Sequence, residues 1–287
     1  MFRSVALFAL TLLVKESQQA CSSTAALTTC TWDTFKSTKT LQLANYKPHL
    51  TVSKGNLERL PNGAFKLVPE VTTLQLSGNK ISSLEEQALE GLEDLKQLNL
   101  YDNQLTSIKH NSLKHCKSLE RLDLGMNQIA SIHDKAFENV KKLTYLNLAF
   151  NLLKAVPVAI ESLPNLENLR LDNNQIAILK AKGFSGLNKL KELSLNDNQL
   201  ITIELNAFQG LSKLERLNLK VNFLRTLNVD DIVDDVRNLK EISLSVNDFK
   251  CDSLREILDE FKKNDVLVTN GVSRNRNSIN GISCKSL

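Results

Sequence analysis

An asparagine closes a leucine-rich run once in roughly every two dozen residues, and this spacing constrains the fold more than any other feature. The pattern L-x-x-L-x-L-x-x-N, with conservative apolar replacements, ends at Asn79, Asn103, Asn127, Asn151, Asn174, Asn198, Asn222 and Asn247. The intervals are 24, 24, 24, 23, 24, 24 and 25 residues. A further copy lies upstream, where Leu50, Val52 and Gly55 occupy the same slots and Gly55 precedes Asn79 by 24. Such a period marks a chain of stacked units, none of which can bury its apolar face alone.

Within each copy the leucines two apart, such as Leu98 and Leu100, project to one side and the residue between them to the other, as on a strand. Strands this far apart in sequence cannot be joined by tight hairpins, so they stack in parallel into a coil. Leu105, Ile129, Leu153, Ile176, Leu200 and Leu224 follow two after the asparagine, and Ile108, Ile132, Val156, Leu179, Ile203 and Leu227 five after. Phe65, Phe137, Phe184 and Phe208 come ten after the marker, with Leu89 and Leu113 in two repeats. About seven apolar groups per repeat thus enter one shared core.

The asparagines have a structural task. Where each strand bends into the coil, backbone N–H and C=O groups face inward without ladder partners. A short amide carries donors and acceptors together and can satisfy them, with copies bonding up and down the stack. Leaving such groups unpaired costs ~1–3 kcal/mol each.

"NQLTSI" at 103–108 and "NQIASI" at 127–132 resemble repeats of the extracellular leucine-rich-repeat family, over roughly 47–250. The resemblance implies an α/β solenoid, a horseshoe with a parallel inner sheet and disulfide-bonded caps at both ends. The expected division is a signal peptide at 1–20, an N-terminal cap at 21–46, about nine repeats at 47–247 and a C-terminal cap at 248–287. Arg3 precedes an apolar run from Val5 to Val14 that is too short to span a bilayer, which needs ~20 residues. It reads as a secretory signal cut near Ala20. No later segment is long and apolar enough to cross a membrane, so the expected location is extracellular.

In an oxidising space the local pairing is Cys21 with Cys30 and Cys251 with Cys284, one of three connectivities for four cysteines. Ser253 in "CDSL" stands where many family members carry a second cysteine. These pared caps look like those of secreted invertebrate members, among them the mosquito leucine-rich immune proteins. Cys116 falls in a core slot held by Leu92 and Leu187 in sister repeats, which makes it a buried free thiol; an intermolecular disulfide is the alternative.

Nothing points to catalysis, a cofactor or a metal. Hydrolase elbows, phosphate loops and zinc-protease motifs are absent, and His110, His115 and Cys116 lack the closer spacing of a zinc site. The acids Asp230, Asp231, Asp234 and Asp235 read as a solvated outer arc. Removing residues 1–20 changes the net charge from +4 to +3, too little to call for nucleic acid.

Binding remains. The residues between the leucines form a continuous inner face, and nine strands at ~4.8 Å span about 40 Å, comparable to a standard interface. Tyr101, Met126, Tyr145 and Phe150 gather on consecutive repeats, flanked by Arg121, Asp123, Asn147, Arg170 and Asp172. Aromatic and arginine anchors inside a polar rim are the composition of protein interfaces. The expected function is a secreted recognition protein that binds a protein ligand or receptor on its concave face, and the resemblance implies innate immunity or cell-surface interaction. Two alternatives are a binder of microbial glycan or lipid and an enzyme inhibitor. Oligomeric state stays open.

Overall fold

The computed structural model describes residues 21–23, 27–30, 48–52, 56–269 and 277–285. The signal segment and most of the N-terminal cap lie outside the described residues, as do Ser53 and Gly55 and the side chains of Cys21 and Cys30.

Each repeat gives one short strand to a single twelve-stranded sheet. Its order is Cys21–Ser23, Leu27–Cys30, His49–Val52, Thr73–Gln75, Gln97–Asn99, Arg121–Asp123, Tyr145–Asn147, Asn168–Arg170, Glu192–Ser194, Arg216–Asn218, Glu241–Ser243 and Leu267–Thr269. The first pair is antiparallel and sets Cys21 opposite Cys30 along the backbone; every later neighbour is parallel. Register follows the repeat period, so Leu98 faces Leu122, which faces Leu146.

The solenoid expected from the repeat period is therefore the fold. Its core is one continuous column in which Phe65, Phe137, Phe184 and Phe208 are fully buried. The rings of Phe184 and Phe208 stack with centroids 6.0 Å apart. Outer arcs are mostly turns, with two-residue strands such as Ser107–Ile108 pairing Ser131–Ile132. The 23-residue repeat departs from this: Pro157, which lacks an N–H, precedes a 3-10 turn at Val158–Ser162 instead of a strand.

Every marker asparagine is buried, and their bonding is one-sided rather than up and down the stack. Nδ2 of Asn103 donates to its own Leu100 O and to Leu76 O of the preceding repeat, both at 3.0 Å. Its Oδ1 accepts the N–H of Ile81, also in the preceding repeat. Asn127, Asn151, Asn174, Asn198, Asn222 and Asn247 repeat this arrangement. No marker bonds another, because each amide is used up on backbone. At the first described marker, Asn79, the donor bonds persist but Oδ1 has no partner.

The residue before each marker takes a left-handed backbone: Gly78, Asp102, Met126, Phe150, Asn173, Asp197, Val221 and Val246 all have φ between 50° and 67°. Here the chain leaves the sheet while its amides keep bonding forward, as when Met126 N donates to Ala149 O and Asn127 N to Phe150 O.

The C-terminal end is closed by an amphipathic helix, Cys251–Lys263, which buries Leu254, Ile257, Leu258 and Phe261. Its first residue is bridged to Cys284, a separation of 33, as expected. Closing a loop of that length contributes ~3–4 kcal/mol in the chain-entropy account. Among the described residues Cys116 is the free thiol, and it is buried.

Candidate functional site

On the concave sheet four of the residues that lie four before a marker do more than face outward. Asn99, Asp123, Asn147 and Asn218 each accept, through a side-chain oxygen, the N–H two residues on: Tyr101, Gly125, Ala149 and Lys220 respectively. These short polar side chains hold the strand ends as they turn. Asp123 also accepts Asn147 Nδ2 at 2.9 Å, tying two repeats together. Asn147 and Asp172 are only 3 % exposed, so both lie beneath the residues that reach solvent. Nothing in the sequence pattern distinguished these supports from contact residues.

Above them stands a cation–aromatic cluster. The Arg121 guanidinium lies over the Tyr145 ring, 4.0 Å from its centroid. On the next strand Arg170 grips Asp172 with a fork, Nε to Oδ1 and Nη2 to Oδ2, each 3.0 Å. Asp172, through this bond, raises the Arg170 pKa above its ordinary value, and the neighbouring Tyr145 adds to the effect. Asn173 Nδ2 steadies the same carboxylate. Arg170 is thereby fixed in direction while 43 % of its side chain stays exposed.

Tyr101, two before its marker, donates its hydroxyl to Met126 Sδ at 2.8 Å. Gly125 makes room for this: a Cβ there would stand 2.7 Å from Asn147 Nδ2 and 3.0 Å from the Tyr101 ring. Met126 and Phe150 do not tuck under the strand edge. They are 45 % and 47 % exposed, and Leu152 beside them is 42 %. Further along, Arg216 pairs with Glu192 beside Glu241, around an open depression of about 190 Å³.

The outer arc holds a pairing that sequence reading did not find. His110 and His133, on successive repeats, stack with centroids 5.1 Å apart, and His110 Nε2 meets Glu138 Oε1 at 3.0 Å. Among the described residues no group of three or more His, Cys, Asp or Glu is placed to hold a metal ion. Among them, too, no helix is long and apolar enough to cross a membrane.

The family model described as leucine rich repeat matches residues 49–105, 69–129, 93–153, 117–176, 164–224 and 188–249. No curated protein matches the sequence. Among solved structures, the TLR13–ssRNA13 complex is 28% identical over 70% of this chain, with a TM-score of 0.67. This chain spans only 28% of that one. Human 5T4 (Wnt-activated inhibitory factor 1, trophoblast glycoprotein) is 22% identical, covering 92% of this chain and 97% of its own, with a TM-score of 0.66. An internalin from Listeria monocytogenes is 19% identical over 77% of this chain and 59% of its own, with a TM-score of 0.59. At those identities the last two likenesses concern the fold.

Proposed function

The chain belongs to the leucine-rich-repeat family, and we propose that it is a secreted recognition protein that binds another protein through its concave face. The observation that carries this reading is the Arg121–Tyr145–Arg170 cluster. It is an aromatic anchor between two oriented guanidinium groups, set on a sheet whose other outward residues are mostly polar or charged. Aromatic and arginine side chains dominate binding energy at interfaces, and orienting them in advance lowers the entropy lost on association.

In this reading Tyr101, Met126, Tyr145, Phe150 and Arg170 touch the partner, while Asp123, Asn147 and Asp172 position them. The protein has no enzymatic role and takes no cofactor. The apolar N-terminal run and the disulfide of the C-terminal cap support secretion. The pared caps, resembling those of secreted invertebrate members, support a role in innate immunity or at the cell surface.

Affinity capture from extracellular fluid tests the proposal, using the wild-type chain beside a folded Tyr145→Ser, Arg170→Glu variant. A protein held by the first and lost by the second supports it. Equal capture by both contradicts it.

A further inference from the structure

The left-handed slot before each marker is occupied in two different ways. Gly78, Asp102, Asn173 and Asp197 are residue types that tolerate positive φ, whereas Met126 and Phe150 are not, yet both hold φ near 50° to 56°. Left-handed backbone is unfavourable for ordinary L-residues, and the surrounding repeat imposes it here. What the chain gains is not core, because both side chains stand about half exposed, with Leu152 next to them. An apolar ledge is thus presented at a strained position that four sister repeats fill with glycine or a polar residue and two, at Val221 and Val246, with valine.

Five residues before Met126, at the start of the strand that leads to it, stands a cation with no carboxylate partner among the described residues. Of the arginines on the sheet face, Arg170 is paired with Asp172 and Arg216 with Glu192. Arg121 has no carboxylate partner among the described residues; it lies flat on Tyr145. Its nearest acid along the strand, Asp123, turns Oδ1 away to Gly125 N and Asn147 Nδ2. A guanidinium stacked on a ring keeps its N–H edge free and fixed in plane, the geometry that receives a carboxylate through two parallel bonds. Tyr101, bonded to Met126 and packed against Gly125, extends the ledge over the strand that carries Arg121.

We infer that Arg121 with Tyr145, and the ledge of Met126, Phe150 and Leu152, form one composite site for a protein segment carrying an acidic side chain beside large apolar ones. This deepens the concave-face reading and rests on it. Arg121 takes the carboxylate, and the ledge takes the apolar neighbours.

Met126 provides the reporter, since the only other methionine is Met1. The full chain, labelled with ¹³C at the methionine methyls, is titrated with acetyl-Leu-Glu-Leu-amide and with acetyl-Leu-Gln-Leu-amide. A Met126→Leu control assigns the signal. The expected result is a saturating shift of the Met126 methyl with the glutamate peptide. Binding should be about fivefold weaker or more for the glutamine peptide and, equally, for Arg121→Gln. Phe150→Asn should weaken binding of both peptides while raising the melting temperature, because asparagine suits the slot; a misfolded variant cannot show that combination. Equal binding of the two peptides, no saturating shift, or undiminished binding by Arg121→Gln overturns the inference. Capture of a partner that survives Arg121→Gln and Phe150→Asn but not Tyr145→Ser, Arg170→Glu overturns it too, and leaves the concave-face reading standing.

Discussion

Asn103 accepts the backbone N–H of Ile81, 22 residues upstream, at 3.0 Å, and through the other end of the same amide donates to Leu76 O and Leu100 O. One side chain thereby closes three inward-facing backbone groups across two repeats. Replacing it by alanine orphans the buried Ile81 N–H and takes one of two amide donors from each carbonyl, since Leu76 O also accepts Asn79 Nδ2 and Leu100 O also accepts Asn127 Nδ2. Asn103→Ala should therefore cost about 2–3 kcal/mol in chemical denaturation. Asn79→Ala should cost less, by roughly 1–2 kcal/mol, because Asn79 Oδ1 already lacks a partner. Equal losses at the two positions would mean that the acceptor bond contributes little.

Val246 is β-branched, left-handed at φ 59° and half exposed. No contact of the core depends on it. Val246→Asn should raise stability by about 1 kcal/mol, because asparagine is unbranched at Cβ and its amide can bond the local backbone in the left-handed region, measurable as a shift in denaturation midpoint at unchanged slope. A destabilised variant would show that the side chain makes a contribution its exposure does not suggest.

Burial pushes the Cys116 thiol up to about 12. At pH 8 the thiolate in the folded state is then roughly one part in ten thousand, and the sulfur is shielded besides. Alkylation at Cys116, located by mass spectrometry, should be undetectable in the native chain and rapid once guanidinium unfolds it. Fast labelling of the native state would show that the column opens locally at that repeat.

Asp235 behaves differently from the solvated acid expected of the outer arc. It ends a short helix, Val229–Asp235, with Oδ2 buried and unpartnered. Burial first, then the charge of Asp231 and to a lesser extent Asp234, raise its pKa above 3.8, against the opposing N–H of Phe208. The folded state then holds its proton more tightly than the unfolded one, so stability falls as pH climbs from 3.8 through the raised value and stays lower above it. Asp235→Asn should melt at a higher temperature than wild type at pH 7. The difference should shrink toward pH 3.5, below the ordinary carboxylate pKa of ~3.9. Thermal scans across that range decide it.

The repeat period made the strands, their register and the core legible. Leu98, Leu122 and Leu146 must face one another once equal lengths of chain return to the same sheet, and the phenylalanines must stack for the same reason. Side-chain partnership across repeats was not legible in that way. His110 and His133 are 23 residues apart but occupy different slots, so the repeat period does not by itself bring their rings together. Asn147 reads as an open-face polar residue, yet the missing side chain of Gly125 lets it reach Asp123 and disappear beneath Tyr145 and its neighbours. The strain at Met126 and Phe150 was equally hidden, since a slot's backbone geometry shows only when the strand's exit is seen.

Recognition through the concave face is tested most directly by hydroxyl-radical footprinting of the chain alone and in complex with a captured partner. Oxidation of Tyr101, Met126, Tyr145 and Phe150 should fall on binding, while His110, His133, Val158 and Leu205 on the outer arc stay unchanged. Protection of that outer arc with Tyr145 as reactive as in the free chain would place the interface on the other side of the solenoid and contradict the proposal.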